Sequence, residues 1–353
     1  MTTPATARVA PALLQWWTQF GRKDLPWQLD PSPYRVWVSE IMLQQTQVTT
    51  VEQYYDRFIA AFPDVASLAQ ADPDHVLHLW SGLGYYARAR NLHRAARVVH
   101  DEYGGDIPED IDTLVSLPGI GRSTAGAILA LSLDQRHPIL DGNAKRVLAR
   151  FFGIAGWTGS TANMKQLWQL ANECTPNEQP GIYTQAIMDI GATLCKRTRP
   201  NCEACPLMAH CIAHRDRLTA EIPAPRPKRS RSRRAAVVLL LVSEDGAVLL
   251  EKRPDSGIWG GLWSFPEVDD VGVVAAWCRT KIGVSPRRER IRAVVNHSFT
   301  HFDLEMTPVE VDLGKVPARM MDGDRWLWYN LRTPAAVGLA APVARLLELV
   351  GEE

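Results

Sequence analysis

The chain has 353 residues, room for two domains of ordinary size, and its 46% hydrophobic and 22% charged residues are a globular balance. No apolar run is long enough for a membrane helix, and the first seventeen residues lack the charged start and cleavable apolar core of a signal peptide, so a cytoplasmic protein without a membrane partner is expected. The net charge of zero speaks against a uniformly basic nucleic-acid domain, but the charge is uneven: residues 1–234 carry 26 Lys/Arg against 22 Asp/Glu, and residues 235–353 carry 13 against 17.

Residues 8–220 read as almost all helix. Apolar residues recur at helical spacing over 34–61, 85–103 and 122–133, separated by Phe62-Pro63-Asp64, Tyr103-Gly104-Gly105 and Leu117-Pro118-Gly119. In the first stretch Glu40 stands among Val36, Trp37 and Leu43 at positions i−4, i−3 and i+3. A carboxyl in apolar surroundings holds its proton to higher pH and can act as an acid. The plainer alternative is a Glu at the edge of the stripe reaching water.

Leu117-Pro118-Gly119-Ile120-Gly121 separates a helix over 110–117 from one over 122–133. Two glycines permit a tight reversal, and the amides opening the second helix suit a phosphate. This is a helix-hairpin-helix pattern, which contacts DNA backbone and carries no base specificity of its own; the plainer alternative is a structural hairpin between two helices. Twenty residues beyond the hairpin, Asp141 precedes a helix over about 142–152. Capping alone explains an Asp there, but a carboxylate at a helix head beside a DNA-binding hairpin is also placed to stabilise an oxocarbenium ion.

Cys195, Cys202, Cys205 and Cys211 follow within 17 residues, a metal-site pattern that leaves zinc and an iron–sulfur cluster both open. Lys196, Arg197 and Arg199 lie between the first two, as a loop suited to phosphates. Cys174 and Cys278 fall outside the pattern as inert thiols. Residues 221–234, with alternating prolines and six Lys/Arg, read as a linker. Beyond it come strands: 236–242, a turn at Asp245-Gly246, a return over 247–250 and more over 291–313, with a helix over 270–282 between.

Glu40 within VSEIMLQQTQV, the stretch GLGYYARARNL at 82–92, LPGIG, DGNAKR at 141–146 and the cysteine loop come in the order of the MutY family of adenine glycosylases. The resemblance covers nearly the whole chain. It implies a multi-domain protein: an all-α helix-hairpin-helix glycosylase domain with an iron–sulfur loop over 1–220, the linker, and an α+β Nudix-like domain over 235–353. It implies excision of adenine mispaired with 8-oxoguanine or guanine from duplex DNA by a monomer. Glu40 would protonate the base, Asp141 stabilise the sugar cation and Asn143 position water; the four cysteines would hold a 4Fe–4S cluster. Gln45, Thr46 and Tyr85 match residues that enter the base stack, and Gly119, Gly121, Ser123 and Lys145 belong to the DNA-facing segment. Lyase relatives have a nucleophilic lysine where this chain has Ser123, so strand scission should be weak or absent. The family's 8-oxoguanine loop, usually Phe-Ser-His, is here Phe299-Thr300-His301.

Three other functions compete. One is a pyrimidine-specific glycosylase–lyase, opposed by Ser123 and the C-terminal domain. Another is a silent DNA-binding protein, opposed by the presence of both Glu40 and Asp141. The third is a nucleotide pyrophosphohydrolase working through 235–350, opposed by the lack of any acid between Asp270 and Glu289.

Overall fold

The computed structural model describes residues 4–227, 231–299, 301–316 and 325–351. They divide into two compact units, one of residues 1–70 and 91–228 and one of residues 71–90 and 229–353. Among the described residues no helix is long and apolar enough to cross a membrane.

The helices in chain order are α1 (Val9–Phe20), α2 (Pro33–Leu43), α3 (Val48–Ala61), α4 (Val65–Gln70), α5 (Pro73–Leu79), α6 (Ala87–Tyr103), α7 (Ile111–Ser116), α8 (Arg122–Leu133), α9 (Gly142–Phe151), α10 (Thr161–Cys174), α11 (Pro180–Thr193), α12 (Ile212–Arg215), α13 (Val274–Trp277) and α14 (Ala341–Gly351). The strands are β1 (Ser232–Ser243), β2 (Val248–Lys252), β3 (Trp263–Ser264), β4 (Glu267–Val268), β5 (Arg288–Ile291), β6 (Val295–Ser298), β7 (Phe302–Gly314) and β8 (Trp326–Tyr329).

In the helical unit, α2 begins where the Ser32 hydroxyl accepts the Arg35 amide (3.3 Å) and Pro33 supplies a pre-set first residue. The apolar periodicity of 34–61 does not make one helix. Gln45 takes a left-handed φ of 58°, ending α2 at Leu43, and α3 restarts at Val48. Apolar spacing survives such a break, so periodicity alone cannot show it. The α7–α8 hairpin is capped at its entry by Asp110, whose carboxylate takes the Thr113 amide and hydroxyl, both at 2.8 Å. Buried Val147, Leu148 and Phe151 of α9 share a core with Ile187 and Ile190 of α11, each worth about 1.5–3 kcal/mol over exposure. Asp189 on α11, fully buried, takes the Arg22 backbone amide (3.0 Å), its Nε (2.8 Å) and its Nη2 (2.6 Å), and so pins the N-terminal segment.

The second unit is built on a sheet with strand order β3-β2-β1-β7-β5; β4 pairs with β1, β6 with β7 and β8 with β2. Its spine is the parallel pair β1–β7, which runs from Ser232↔Phe302 to Ser243↔Gly314. Leu239 and Leu241 of β1 and Val309 and Val311 of β7 form one core with Val274 of α13 and Ile282 of the π-helical turn that follows it. The expected helix over 270–282 is thus a 3-10 turn, α13 and a π turn in succession.

Two expected boundaries move. Residues 232–234, read as the end of the linker, open β1, because the β7 pairing extends past the apolar run. The start of that segment is docked: Ile222 is 4% exposed and the Ala224 amide donates to the Gly156 carbonyl (3.0 Å). Residues 71–90, expected in the helical domain, group with the sheet unit. Asp74 receives Lys252 Nζ (3.0 Å) and Trp263 Nε1 (3.1 Å), Tyr86 Oη donates to the Leu339 carbonyl (2.8 Å) and Arg90 Nη1 to the Gly260 carbonyl (2.6 Å). These partners lie at sequence separations that local patterning does not reach.

Candidate active site and cysteine loop

Glu40 stands half-buried on α2, where Val36 at i−4 and Trp37 at i−3 are buried. Burial first, and then the charge of Asp141, together push its carboxyl up to about 8. The fold leaves Glu40 half-buried beside buried Val36 and Trp37, between an enclosed acid and a Glu at the edge of the stripe reaching water.

Asp141 caps α9. Its Oδ1 accepts the Ala144 amide at 2.7 Å and its Oδ2 the Asn143 amide at 3.1 Å. Two donors and the positive end of a helix dipole face one carboxylate. Capping and a charge-stabilising role are here the same geometry. The helical unit thus brings Glu40 and Asp141, a hundred residues apart, into electrostatic contact.

Asn143 is held from its oxygen side. Arg146 Nη2 donates to Asn143 Oδ1 (2.7 Å) and to the Gly191 carbonyl (2.7 Å), while Arg146 Nε donates to the Cys195 carbonyl (2.6 Å). Gly191 is obligatory here: a Cβ on it would lie 2.5 Å from Asn143 Cβ. Arg146 was not singled out in the sequence. Its position one turn into α9, four residues after Gly142, was the only local hint.

Around the hairpin, Gly119 has φ 81° and its missing Cβ would meet Asn91 Cβ at 2.8 Å, so close approach requires glycine. Gly121 differs: its φ is −92° and the space beside it is open. The amides that begin α8 have no side-chain cap. Ser123 Oγ accepts the buried Leu140 amide at 2.9 Å, tying the head of α8 to the loop that delivers Asp141. Gln44 Nε2 reaches Thr124 Oγ1 at 3.4 Å, tying the end of α2 to the same place. Gln45 is exposed, and Thr46 and Lys145 are half-buried.

The four cysteines line one pocket together with Arg150, Leu194 and Met208. Burial pushes the Cys205 thiol up to about 11 and raises those of Cys202 and Cys211. Arg150, 3% exposed, closes the loop: Nη1 donates to Cys195 Sγ (3.3 Å) and the Lys196 carbonyl (2.7 Å), Nη2 to the Thr219 carbonyl (2.7 Å) and Nε to the Ile222 carbonyl (2.7 Å). Sequence reading missed this residue as well, since a buried Arg on an apolar helix face has no motif of its own.

In the sheet unit, Tyr85 is 49% exposed with a left-handed φ of 48°. Phe299 stacks on Phe302 (centroids 4.6 Å apart), and its ring lies 5.6 Å from that of Trp259 and 4.6 Å from that of His297. His301 is exposed, and Thr300 lies outside the described residues. The segment from α13 through the π turn, Val274 to Ile282, carries no carboxylate.

Residues 38–173 match the HhH-GPD superfamily of base excision DNA repair proteins, and residues 237–349 match the NUDIX domain. Along 337 residues, 95% of either chain, the sequence is 38% identical to the adenine DNA glycosylase of Buchnera aphidicola subsp. Acyrthosiphon pisum. The chain belongs to the adenine DNA glycosylase family. The human adenine DNA glycosylase is 37% identical over 393 residues, 93% of this chain and 72% of the human one. Among solved structures, a thermostable thymine-DNA glycosylase superposes with a TM-score of 0.55 at 27% identity, covering 60% of this chain and 97% of its own. A non-covalent endonuclease III–DNA complex does so with a TM-score of 0.52 at 20% identity, covering 62% and 99%, a likeness of fold. As a member of the family the chain is a base-excision-repair DNA glycosylase acting on adenine, with DNA as its partner.

Proposed function

We propose that this adenine glycosylase removes adenine opposite 8-oxoguanine, or guanine, from duplex DNA by a monofunctional reaction, with Glu40 as general acid and Asp141 as the stabiliser of the sugar cation. The observation that carries the reading is the pairing of two carboxyls in opposite surroundings: Glu40 raised to about 8 by burial, Asp141 held by two amides at the head of α9. With adenine flipped out of the duplex, the Glu40 proton goes to N7. The C1′–N9 bond breaks and its electron pair leaves with the base. The oxocarbenium ion left behind faces the Asp141 carboxylate. Water held by Asn143 adds at C1′, and its proton returns to the Glu40 carboxylate, leaving an abasic site.

Ser123 supports a reaction without strand scission. A hydroxyl engaged by the Leu140 amide offers no amine for a Schiff base. Phe299, Thr300 and His301 of the C-terminal unit, together with Gln45, Thr46 and Tyr85, would read the 8-oxoguanine side. Gly119, Gly121 and Lys145 would lie along the phosphates, where the open space at Gly121 and the uncapped amides of α8 suit an anion. The enzyme would work as a cytoplasmic monomer.

Cys195, Cys202, Cys205 and Cys211 would hold a 4Fe–4S cluster. The donor set fits: four thiols share one pocket, and burial raises three of them so that an ionised form calls for a cationic partner. When bound, the group supplies four iron–thiolate bonds that cross-link residues 195–211. Arg146 and Arg150 tie that loop to α9.

The reading is tested by single-turnover excision on a duplex with one 8-oxoguanine·adenine pair, with the product split by hot alkali or left untreated. Alkali-dependent breaks at the adenine, absent in Glu40→Gln and Asp141→Asn, are expected. Breaks without alkali would overturn the monofunctional reading, and untouched adenine would overturn the substrate.

A further inference from the structure

The segment Gly82–Tyr85 departs from ordinary backbone at three of its four residues. Gly82 has φ 96°, Gly84 φ 75° and Tyr85 φ 48°. Glycine adopts such angles without penalty, but a bulky L residue does so only where its surroundings hold it there. Tyr85 is also 49% exposed, so no apolar packing seals its ring in place. Something else must fix the turn.

Arg88 does so from within the same short segment. It is 8% exposed and lies one turn beyond Tyr85, at the start of α6. Its backbone amide donates to the Tyr85 carbonyl at 2.8 Å. Its Nη2 donates to the Gly84 carbonyl (3.1 Å) and the Leu83 carbonyl (3.3 Å), and Trp80 Nε1 donates to the same Gly84 carbonyl at 3.1 Å. The guanidinium carbon lies 5.4 Å from the Trp80 ring centroid and 5.5 Å from that of Tyr85. Tyr86 adds a second tie: its hydroxyl accepts the Gly82 amide (3.2 Å) and donates to the Leu339 carbonyl (2.8 Å). One buried cation therefore holds two carbonyls of the strained turn and the face of its exposed aromatic ring.

We propose that Arg88 is a positioning residue for recognition of the base opposite adenine: it locks the Gly82–Tyr85 turn and presents the Tyr85 ring to that base. The proposal rests on the reading of Tyr85 given above and adds the group through which that residue is set. A planar guanidinium is needed, because only it can stack on rings while its N–H groups meet carbonyls at fixed angles. Lysine keeps the charge and loses both features.

The test is a double-mutant cycle on the full chain, read as a ratio. Dissociation constants would be measured for duplexes carrying an uncleavable adenine analogue opposite 8-oxoguanine and opposite guanine. The proteins are wild type, Arg88→Lys, Tyr85→Ala, the double variant, and Trp80→Phe, which keeps a ring but loses the donor to Gly84. Arg88→Lys should lower the 8-oxoguanine preference about tenfold, while the double variant is no worse than Tyr85→Ala alone. Trp80→Phe should move the ratio in the same direction by less. Equal weakening on both duplexes with a lowered melting temperature would make Arg88 merely structural and overturn the proposal. So would losses that add in the double variant. If Tyr85→Ala itself leaves the ratio unchanged, the reading of Tyr85 fails and carries this one with it. If Tyr85→Ala lowers the ratio and neither Arg88→Lys nor Trp80→Phe does, the reading stands and only the positioning role falls.

Discussion

The middle of α2 and the head of α9 each present one carboxyl, and the two differ only in what surrounds them. On α2 no amide is spare, since every backbone donor in mid-helix is already used, and the neighbours of Glu40 are apolar; burial raises its proton affinity to about 8. At the head of α9 the helix's own unpaired amides turn to Asp141. The same functional group has its proton affinity raised in one place and is held by helix-head amides in the other. What decides between them is position along a helix, a property that sequence spacing already encodes.

The largest effect that could break this comparison is loss of the acid. Glu40→Gln keeps the shape and removes the proton, so single-turnover excision should fall by about 10³-fold while the fold persists. A variant with near wild-type rate would remove Glu40 from the chemistry. Next comes the anion. Asp141→Asn keeps an oxygen for the cap and loses the charge, and excision should fall by about 10²-fold with little change in melting temperature. Asp141→Ala should lose the same activity and about 1 kcal/mol of stability besides. If the two variants melt alike, the cap is not what holds the head of α9.

Smaller effects sharpen the setting of that head. Gly191→Ala places a Cβ 2.5 Å from Asn143 Cβ and should cost about 1–3 kcal/mol by thermal melting. Its excision rate should fall too, because Asn143 must shift. Ser123→Ala leaves the Leu140 amide, in a 2% exposed residue, without its acceptor. It should cost about 1 kcal/mol and leave the reaction free of strand scission.

These results also bear on how much of the molecule sequence alone discloses. The cap at Asp141, the apolar neighbours of Glu40 and the gathering of the four cysteines in one pocket were legible because each depends on local spacing: a helix head, a helical stripe, a tight loop. The break at Gln45 was not, since a left-handed residue between two helices leaves their apolar period intact. Arg146 and Arg150 were hidden for a different reason. Their partners, the carbonyls of Gly191, Cys195, Lys196, Thr219 and Ile222, are backbone atoms far along the chain, and a carbonyl has no sequence signature. The same holds for residues 71–90, whose place with the sheet unit is set by Lys252, Trp263, Gly260 and Leu339. The apparent linker failed on both counts: its composition described a tether, whereas its ends are a docked turn and the first pairs of a parallel strand.

The most direct test of the central claim is the pH dependence of single-turnover excision, with stability followed in parallel. An acid whose folded value is raised from 4.5 to about 8 is protonated, and active, below that value. Binding its proton in the folded state from pH 4.5 to about 8, where the unfolded chain has already released it, it contributes stability that fades over that window as the pH rises. The account predicts a wild-type rate that falls as the pH passes about 8, and a melting temperature for Glu40→Gln that gains on wild type between pH 5 and pH 8. A rate that rises through this range, or a flat profile shared by wild type and Glu40→Gln, would contradict it.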